Sequence, residues 1–288
     1  MSKKQTVLPI VVPIVFDETG MPKNLFLVRH GESEGNLTRR LFEESGDEAV
    51  SYTDEFLSIH ESQYELTPKG VRQAKKAGAW LKKKKLITFD RLLVSSNVRA
   101  MQTAAYLNLP EAKWMIDFNV REQDGGLFTV IKPSKQDADY ADQKKFFDTQ
   151  RFSFRAPQGE SLGDVCNRIK IVLDTLAREC NGKNVIIVCH GHVMRVFRMI
   201  LERMSPEKIA RYLRTKAQYG RIPNCAILHY TREHVKSGKS GMSKRFEYVR
   251  MIRPAGGGKA EDGFKKIVRQ KFSNEDLLRA ARKHRYMK

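Results

Sequence analysis

Leu25-Phe26-Leu27-Val28-Arg29-His30-Gly31 is the stretch on which the fold turns: four consecutive apolar residues, then arginine, histidine and glycine. An apolar run of this length reads as a strand, and a glycine turn at its end is where α/β enzymes place their chemistry. The pattern recurs twice. Leu92-Leu93-Val94 runs into Ser95-Ser96-Asn97 with Arg99 close behind, and Val185-Ile186-Ile187-Val188 runs into Cys189-His190-Gly191. Helical periods lie between these strands. Thr67 caps and Pro68 opens a helix that carries Val71, Ala74, Ala77 and Leu81 on one face, and Lys82 to Lys85 form its solvated basic end. A second helix follows Asn97 through Leu107, a third covers Ser161 to Ala177, and a fourth runs from about Met194 to Arg203. The alternation predicts an α/β fold, a mainly parallel sheet with helices on both faces. Ala226 to Tyr230 and Phe246 to Ile252 read as two further strands, a terminal hairpin.

Working outward, residues 1–20 form an N-terminal appendage to a domain spanning 21–255. Two segments without sustained periodicity interrupt that domain: 37–66, polar and acidic and read as a long irregular loop, and 125–160, which mixes Lys, Asp and Phe. Both are expected to lie over the site as cap inserts. Residues 256–288 form a basic C-terminal tail in which Ser273 and Asp276 make a capping box for a short helix.

Of the 288 residues, 53 are Lys or Arg and 33 Asp or Glu, a formal net charge of +20; residues 231–288 alone hold 17 basic and 6 acidic side chains. Such a surplus suits an anionic partner: nucleic acid, an acidic membrane face or a phosphorylated substrate. At 41% hydrophobic residues the chain can bury a core, which excludes wholesale disorder. The longest apolar run, Val7 to Val15, contains Pro9 and Pro13 and falls far short of the roughly twenty residues of a membrane span. It also lacks the pattern of a secretion signal. A soluble, cytoplasmic protein without a membrane partner is expected. Cys166, Cys180, Cys189 and Cys225 show no paired spacing, so they read as reduced thiols and not as a disulfide frame or a zinc site.

Three strand ends deliver Arg29, His30, Arg99 and His190 to one edge of the sheet. Arg offers a planar fork of donors that fits phosphate oxygens. A neutral imidazole can attack phosphorus while a second, protonated one stabilises the charge that develops. A single such His would read as a satisfied turn residue; two His-Gly strand ends with a preceding Arg read as a phosphate site. A rival sits in the same place. Cys189 and Arg195 have the Cys-x5-Arg spacing of thiolate phosphatases, although Val188, the early Gly191 and Val196 depart from that pattern.

The motifs resemble those of the histidine phosphatase superfamily, also called phosphoglycerate mutase-like. Leu27-Val28-Arg29-His30-Gly31-Glu32-Ser33-Glu34-Gly35-Asn36 is similar to its signature, and Leu66 to Ala74 to its "LTxxGxxQA" helix. Ser95 to Ala104 resembles its "SxxxRAxxTA" segment, Pro157-Gln158-Gly159-Glu160-Ser161 its "PxGES" turn, and Val188 to Gly191 its second His-Gly strand end. The resemblance covers about residues 21–230 and implies the following roles. His30 is the nucleophile that forms a phosphohistidine; Arg29, Asn36, Arg99, His190 and Gly191 bind the phosphoryl oxygens, with His190 also counted catalytic. Glu122 is the proton donor, preferred to Asp124. No metal and no cofactor are implied. "REQDxG" and Phe154 to Ser161 are most similar to the phosphatase-type branch, since Gly35 stands where the mutases carry Trp and Gly125-Gly126-Leu127-Phe128 lacks their sugar-acid stretch.

The expected function is therefore a metal-independent phosphatase acting on a phosphorylated small molecule or phosphoprotein. One alternative is mutase-type phosphoryl transfer. Another is a non-catalytic nucleic-acid-binding or scaffold protein on the same fold that uses the basic tail.

Overall fold

The computed structural model describes residues 20–214, 222–235, 241–256, 258–269 and 271–283. The appendage at 1–20 therefore lies almost wholly outside the described residues.

In chain order the first strand is β1 (Asn24–Arg29), followed by helices α1 (Glu34–Ser45), α2 (Glu48–Ser51), α3 (Asp54–Ser58) and α4 (Pro68–Lys83). Then come β2 (Arg91–Val94), α5 (Val98–Leu107), β3 (Met115–Ile116), α6 (Pro133–Asp139), α7 (Ala141–Thr149), α8 (Leu162–Glu179) and β4 (Asn184–Cys189). The remainder is α9 (Gly191–Leu201), α10 (Pro206–Arg214), β5 (Ile227–Thr231), β6 (Tyr248–Ile252), β7 (Lys265–Lys266) and α11 (Asn274–Lys283).

Among the described residues, seven strands form one sheet in the order β3-β2-β4-β1-β5-β6-β7. The first four are mutually parallel and the last three antiparallel, so the fold is the expected α/β type with a predominantly parallel core. Strand pleating explains why β1 is apolar without a break: successive side chains face opposite sides. Leu25 and Leu27 join Val185, Ile187 and the apolar faces of α8 and α9, whereas Phe26 and Val28 join Ile186, Val188, Ala74, Ala77 and Ala104 on the α4–α5 side. The predicted terminal hairpin is present as β5 and β6, paired antiparallel from Ile227↔Ile252 to Thr231↔Tyr248.

Two expectations change. The segment 37–66 is largely helical: α1 extends through Ser45, and α2, α3 and a single 3-10 turn (Glu61–Gln63) follow. Asp47 and Thr53 each cap one of these short helices with a side-chain oxygen. Short helices carry too few residues to show a period, which hides them from pattern reading. The segment 125–160 likewise holds α6 and α7. In the basic tail, Ser273 and Asp276 close the predicted capping box on α11, and β7 hydrogen-bonds to β6.

Gly31 and Gly70 show why the loop after β1 and the first turn of α4 use glycine. A Cβ on Gly31 would lie 2.5 Å from the Gly70 carbonyl oxygen, and one on Gly70 would overlap the Glu32 carbonyl oxygen. The two backbones touch, locking the loop after β1 to α4.

Candidate active site

Register brings the two histidines together. Arg29 of β1 pairs with Cys189 of β4, and the His30 N–H donates to the Cys189 carbonyl at 3.0 Å, so His30 and His190 leave neighbouring strands side by side. Their ring centroids are 5.1 Å apart and both side chains are buried. His30 Nδ1 lies 2.6 Å from the Gly31 carbonyl oxygen. A carbonyl only accepts, so Nδ1 carries the proton and Nε2 presents its lone pair. Gly31 in turn donates to Thr103 Oγ1 at 3.0 Å, and that hydroxyl donates to the Arg99 carbonyl at 2.7 Å, so α5 holds the loop. Burial, reinforced by Arg99 and Arg29, pushes His30 well below the ordinary histidine range, so its imidazole is neutral.

His190 caps α9, which begins at Gly191 and not near Met194 as its sequence period suggested. Its Nε2 lies 2.7 Å from Ser95 Oγ, while Nδ1 is buried without a hydrogen-bond partner among the described residues. Burial, then Arg99, His30, Arg168 and Arg29, push His190 well below the ordinary range. In the protein's own field, without a bound anion, His190 is neutral; Ser95 Oγ donates to Asn97 Oδ1, so Nε2 carries the ring proton toward Ser95 and Nδ1 holds a lone pair.

Arg29 donates from Nη1 to the Ile222 carbonyl at 2.6 Å, and its Nε would be 3.5 Å from a Cβ on Gly191. Arg99 is buried as the second residue of α5 and donates to the Glu61 carbonyl. Asn36 Oδ1 accepts from Asn224 Nδ2 at 2.9 Å, and the same Nδ2 lies 3.0 Å from the His30 carbonyl oxygen. Asn36 is thus tied to the loop after β1 through Asn224.

Glu122 sits on a turn braced from beneath. Glu160 accepts from Arg168 Nε at 3.0 Å, Arg121 Nη2 at 2.7 Å and the Asp124 N–H at 3.1 Å, and Arg168 Nη2 donates to the Glu122 carbonyl at 3.0 Å. The Glu122 carboxylate is mostly buried; Oε1 accepts from the Gln123 N–H at 3.0 Å and lies 3.7 Å from His192 Nδ1. Burial alone would raise its pKa, but His192, Arg99 and Arg29 outweigh it and hold the carboxyl below its usual range. Asp124 Oδ1 is occupied by the Gly126 N–H at 2.8 Å.

Glu61 carried no sequence signal, lying in a segment that looked irregular. Its carbonyl receives Arg99, and its carboxylate accepts from the Gly125 N–H at 3.3 Å, joining the two inserts. Burial raises its pKa to about 7 against the pull of Arg99. His192 was a bare neighbour of the second His-Gly pair, and Asn224 had no motif around it.

The thiolate reading fails. Cys189 lies in the hydrophobic core at the end of β4, and burial drives its thiol strongly upward, away from a reactive thiolate. All four cysteines are free and buried. Among the described residues, no cluster of three or more His, Cys, Asp or Glu could hold a metal ion, and no helix is long and apolar enough to cross a membrane.

A predominantly parallel sheet thus brings two buried histidines and two arginines to one edge, an arrangement suited to binding an anionic group. The sequence profile of the histidine phosphatase superfamily (branch 1) matches residues 25–222, and the chain belongs to this superfamily. It is similar to a 2,3-bisphosphoglycerate-dependent phosphoglycerate mutase of Azorhizobium caulinodans, 29% identical over 197 residues, covering 66% of this chain and 87% of the relative. It is also 28% identical over 174 residues to a 6-phosphofructo-2-kinase/fructose-2,6-bisphosphatase of Aquarana catesbeiana, covering 60% of this chain but only 32% of that longer protein. Among solved structures, the alpha-ribazole phosphatase from Shigella flexneri superimposes with a TM-score of 0.57 at 18% identity, covering 77% of this chain and 97% of the other; this likeness concerns the fold.

Proposed function

We propose that the protein hydrolyses a phosphomonoester through a phosphohistidine on His30. The observation that carries the reading is the Nδ1 bond of His30 to the Gly31 carbonyl at 2.6 Å, which aims an unprotonated Nε2 beside His190 and Arg99. In the first step the Nε2 lone pair forms the N–P bond while the P–O(leaving) electrons return to the ester oxygen, which takes a proton from Glu122. In the second, Glu122 as carboxylate accepts a proton from water as its oxygen attacks phosphorus, and the N–P electrons return to His30. Arg29, Arg99 and the first N–H groups of α9 at Gly191 are suited to the equatorial oxygens; His190 joins them when the phosphate dianion draws a proton onto its Nδ1, and Asn36 holds the loop or adds a contact through Nδ2. The arginines supply the positive charge that such a transfer requires, and the reaction is written without metal or cofactor.

The substrate class is a phosphorylated small molecule or phosphoprotein, and the four buried free cysteines support a reducing, cytoplasmic compartment. The mutase relative favours a second reading, in which phosphohistidine passes its phosphoryl group to another substrate hydroxyl. Gly35 and the Gly125–Phe128 run favour hydrolysis. The test is a screen of phosphorylated metabolites, nucleotides and phosphopeptides with wild type and His30→Ala in parallel. Phosphate release and an acid-labile phosphoenzyme in wild type only are expected. Release that survives His30→Ala refutes the mechanism, and 3-phosphoglycerate isomerised without net release restores the mutase.

A further inference from the structure

One titratable side chain beside the site has no part in the scheme above. His192, the second residue of α9, points its Nδ1 at Glu122 Oε1 across 3.7 Å, with 41% of its side chain exposed against 15% for Glu122. We propose that His192 is the proton reservoir of the general acid, a positioning residue that loads Glu122 for departure of poor leaving groups and unloads it after water attack. The inference rests on the phosphatase reading and deepens it.

The geometry requires little. A hydrogen bond needs about 2.7–3.2 Å, so a closure under an ångström, or one bridging water, connects the pair. The exposed edge of His192 reaches solvent, which the more deeply placed carboxylate does not do as readily. The difficulty that the pair resolves is electrostatic. In the protein's own field Glu122 is held below the usual carboxylate range, so at neutral pH it carries no proton to give. His192 is lowered by its packing and by Arg195, Arg39 and Arg29, against the attraction of Glu122, so the pair takes up its single proton on the acid side of the ordinary histidine value. The other charged and titratable groups facing Glu122 are Arg99, Arg29, Glu61 and Cys189. A bound phosphate dianion offsets the arginines and raises the pair's affinity for a proton, which enters through His192; the dianion's repulsion of a second anion then moves it to the carboxylate.

The steps balance. With phosphate bound, His192 takes a proton from solvent at its exposed edge, gives its Nδ1 proton to Glu122 and is neutral again. Glu122 passes the proton to the ester oxygen as the P–O bond breaks and the N–P bond to His30 forms. When water attacks, its proton goes to Glu122 and on to His192, restoring the pair.

The experiment compares wild type with His192→Ala and His192→Gln on glycerol 2-phosphate, a poor leaving group, and p-nitrophenyl phosphate, whose phenolate departs with little protonation. Loss of an acid catalyst costs about 10²–10⁴-fold, and loss of its reservoir is expected at the low end, about 10–100-fold in kcat for glycerol 2-phosphate and under about threefold for p-nitrophenyl phosphate. The alkaline limb of the glycerol 2-phosphate profile moves to lower pH in both variants, and added imidazole restores His192→Ala. Equal losses on the two esters, an unmoved pH limb, or no loss on either overturns the proposal while wild-type turnover leaves the phosphatase reading intact. A wild type inert toward both esters, with no phosphoenzyme, overturns both.

Discussion

Replacing Glu160 by Ala tests whether the turn that carries Glu122 is held by an ion pair or by packing. Glu160 and Arg168 face each other with 16% and 8% of their side chains exposed, and Glu160 also receives Arg121 and the Asp124 N–H. Removing one partner of a buried pair costs about 3–5 kcal/mol because it strands the other charge. Arg168 keeps the Asn119 and Glu122 carbonyls, which reduces the expected loss to about 2–3 kcal/mol. At roughly 2–4 °C per kcal/mol for a domain of this size, the melting temperature falls by roughly 4–12 °C. The freed turn also misplaces Glu122, so hydrolysis of an alkyl phosphate drops about 10–100-fold, and p-nitrophenyl phosphate hydrolysis drops less. The assays are thermal unfolding followed by circular dichroism and phosphate release from both esters at one pH. Glu160→Ala melting within a degree of wild type, with both rates unchanged, refutes the brace.

Arg99→Lys keeps the charge but loses the planar fork, so phosphate binding weakens; a rise in the inhibition constant of inorganic phosphate by about tenfold checks it. Cys189→Ala is expected to retain phosphatase activity within about twofold while losing about 1 kcal/mol of stability from the core, measured by denaturant unfolding. Glu61 carries a pH signature. Its folded pKa of about 7 lies above the ordinary 4.5, so the unfolded chain releases the proton first as pH rises. Folding stability is therefore lost through the window from 4.5 to about 7 and the penalty is complete above it. Glu61→Gln keeps an acceptor for Gly125 and removes the penalty, so it melts above wild type at about pH 8 and alongside it at about pH 4. The opposite order contradicts the assignment.

The fold class was legible because buried parallel strands and capped amphipathic helices leave periodic marks: the uninterrupted Leu25–Val28 and Val185–Val188 runs, Thr67 before Pro68, Ser161 before its helix. Sequence alone also named His30, His190, Arg29 and Arg99, since a His or Arg at the end of such a run, or in the first turn of the helix that follows it, has its place set by local chain geometry. Three features escaped it. The inserts were read as irregular because helices as short as Glu48–Ser51 take their stability from caps and tertiary contact, not from a repeating apolar face. Glu61 and Asn224 act through partners far along the chain, Arg99 and Gly125 for one, His30 and Asn36 for the other. The protonation states also belong to the tertiary structure. A histidine's residue type leaves it free to be neutral or charged near neutral pH; burial beside Arg99 and Arg29 makes His30 and His190 neutral. The opposite balance, cations outweighing burial, keeps Glu122 ionised. Local sequence determined which groups reach the sheet edge, and the field made by residues brought together from the whole chain decided what each can do there.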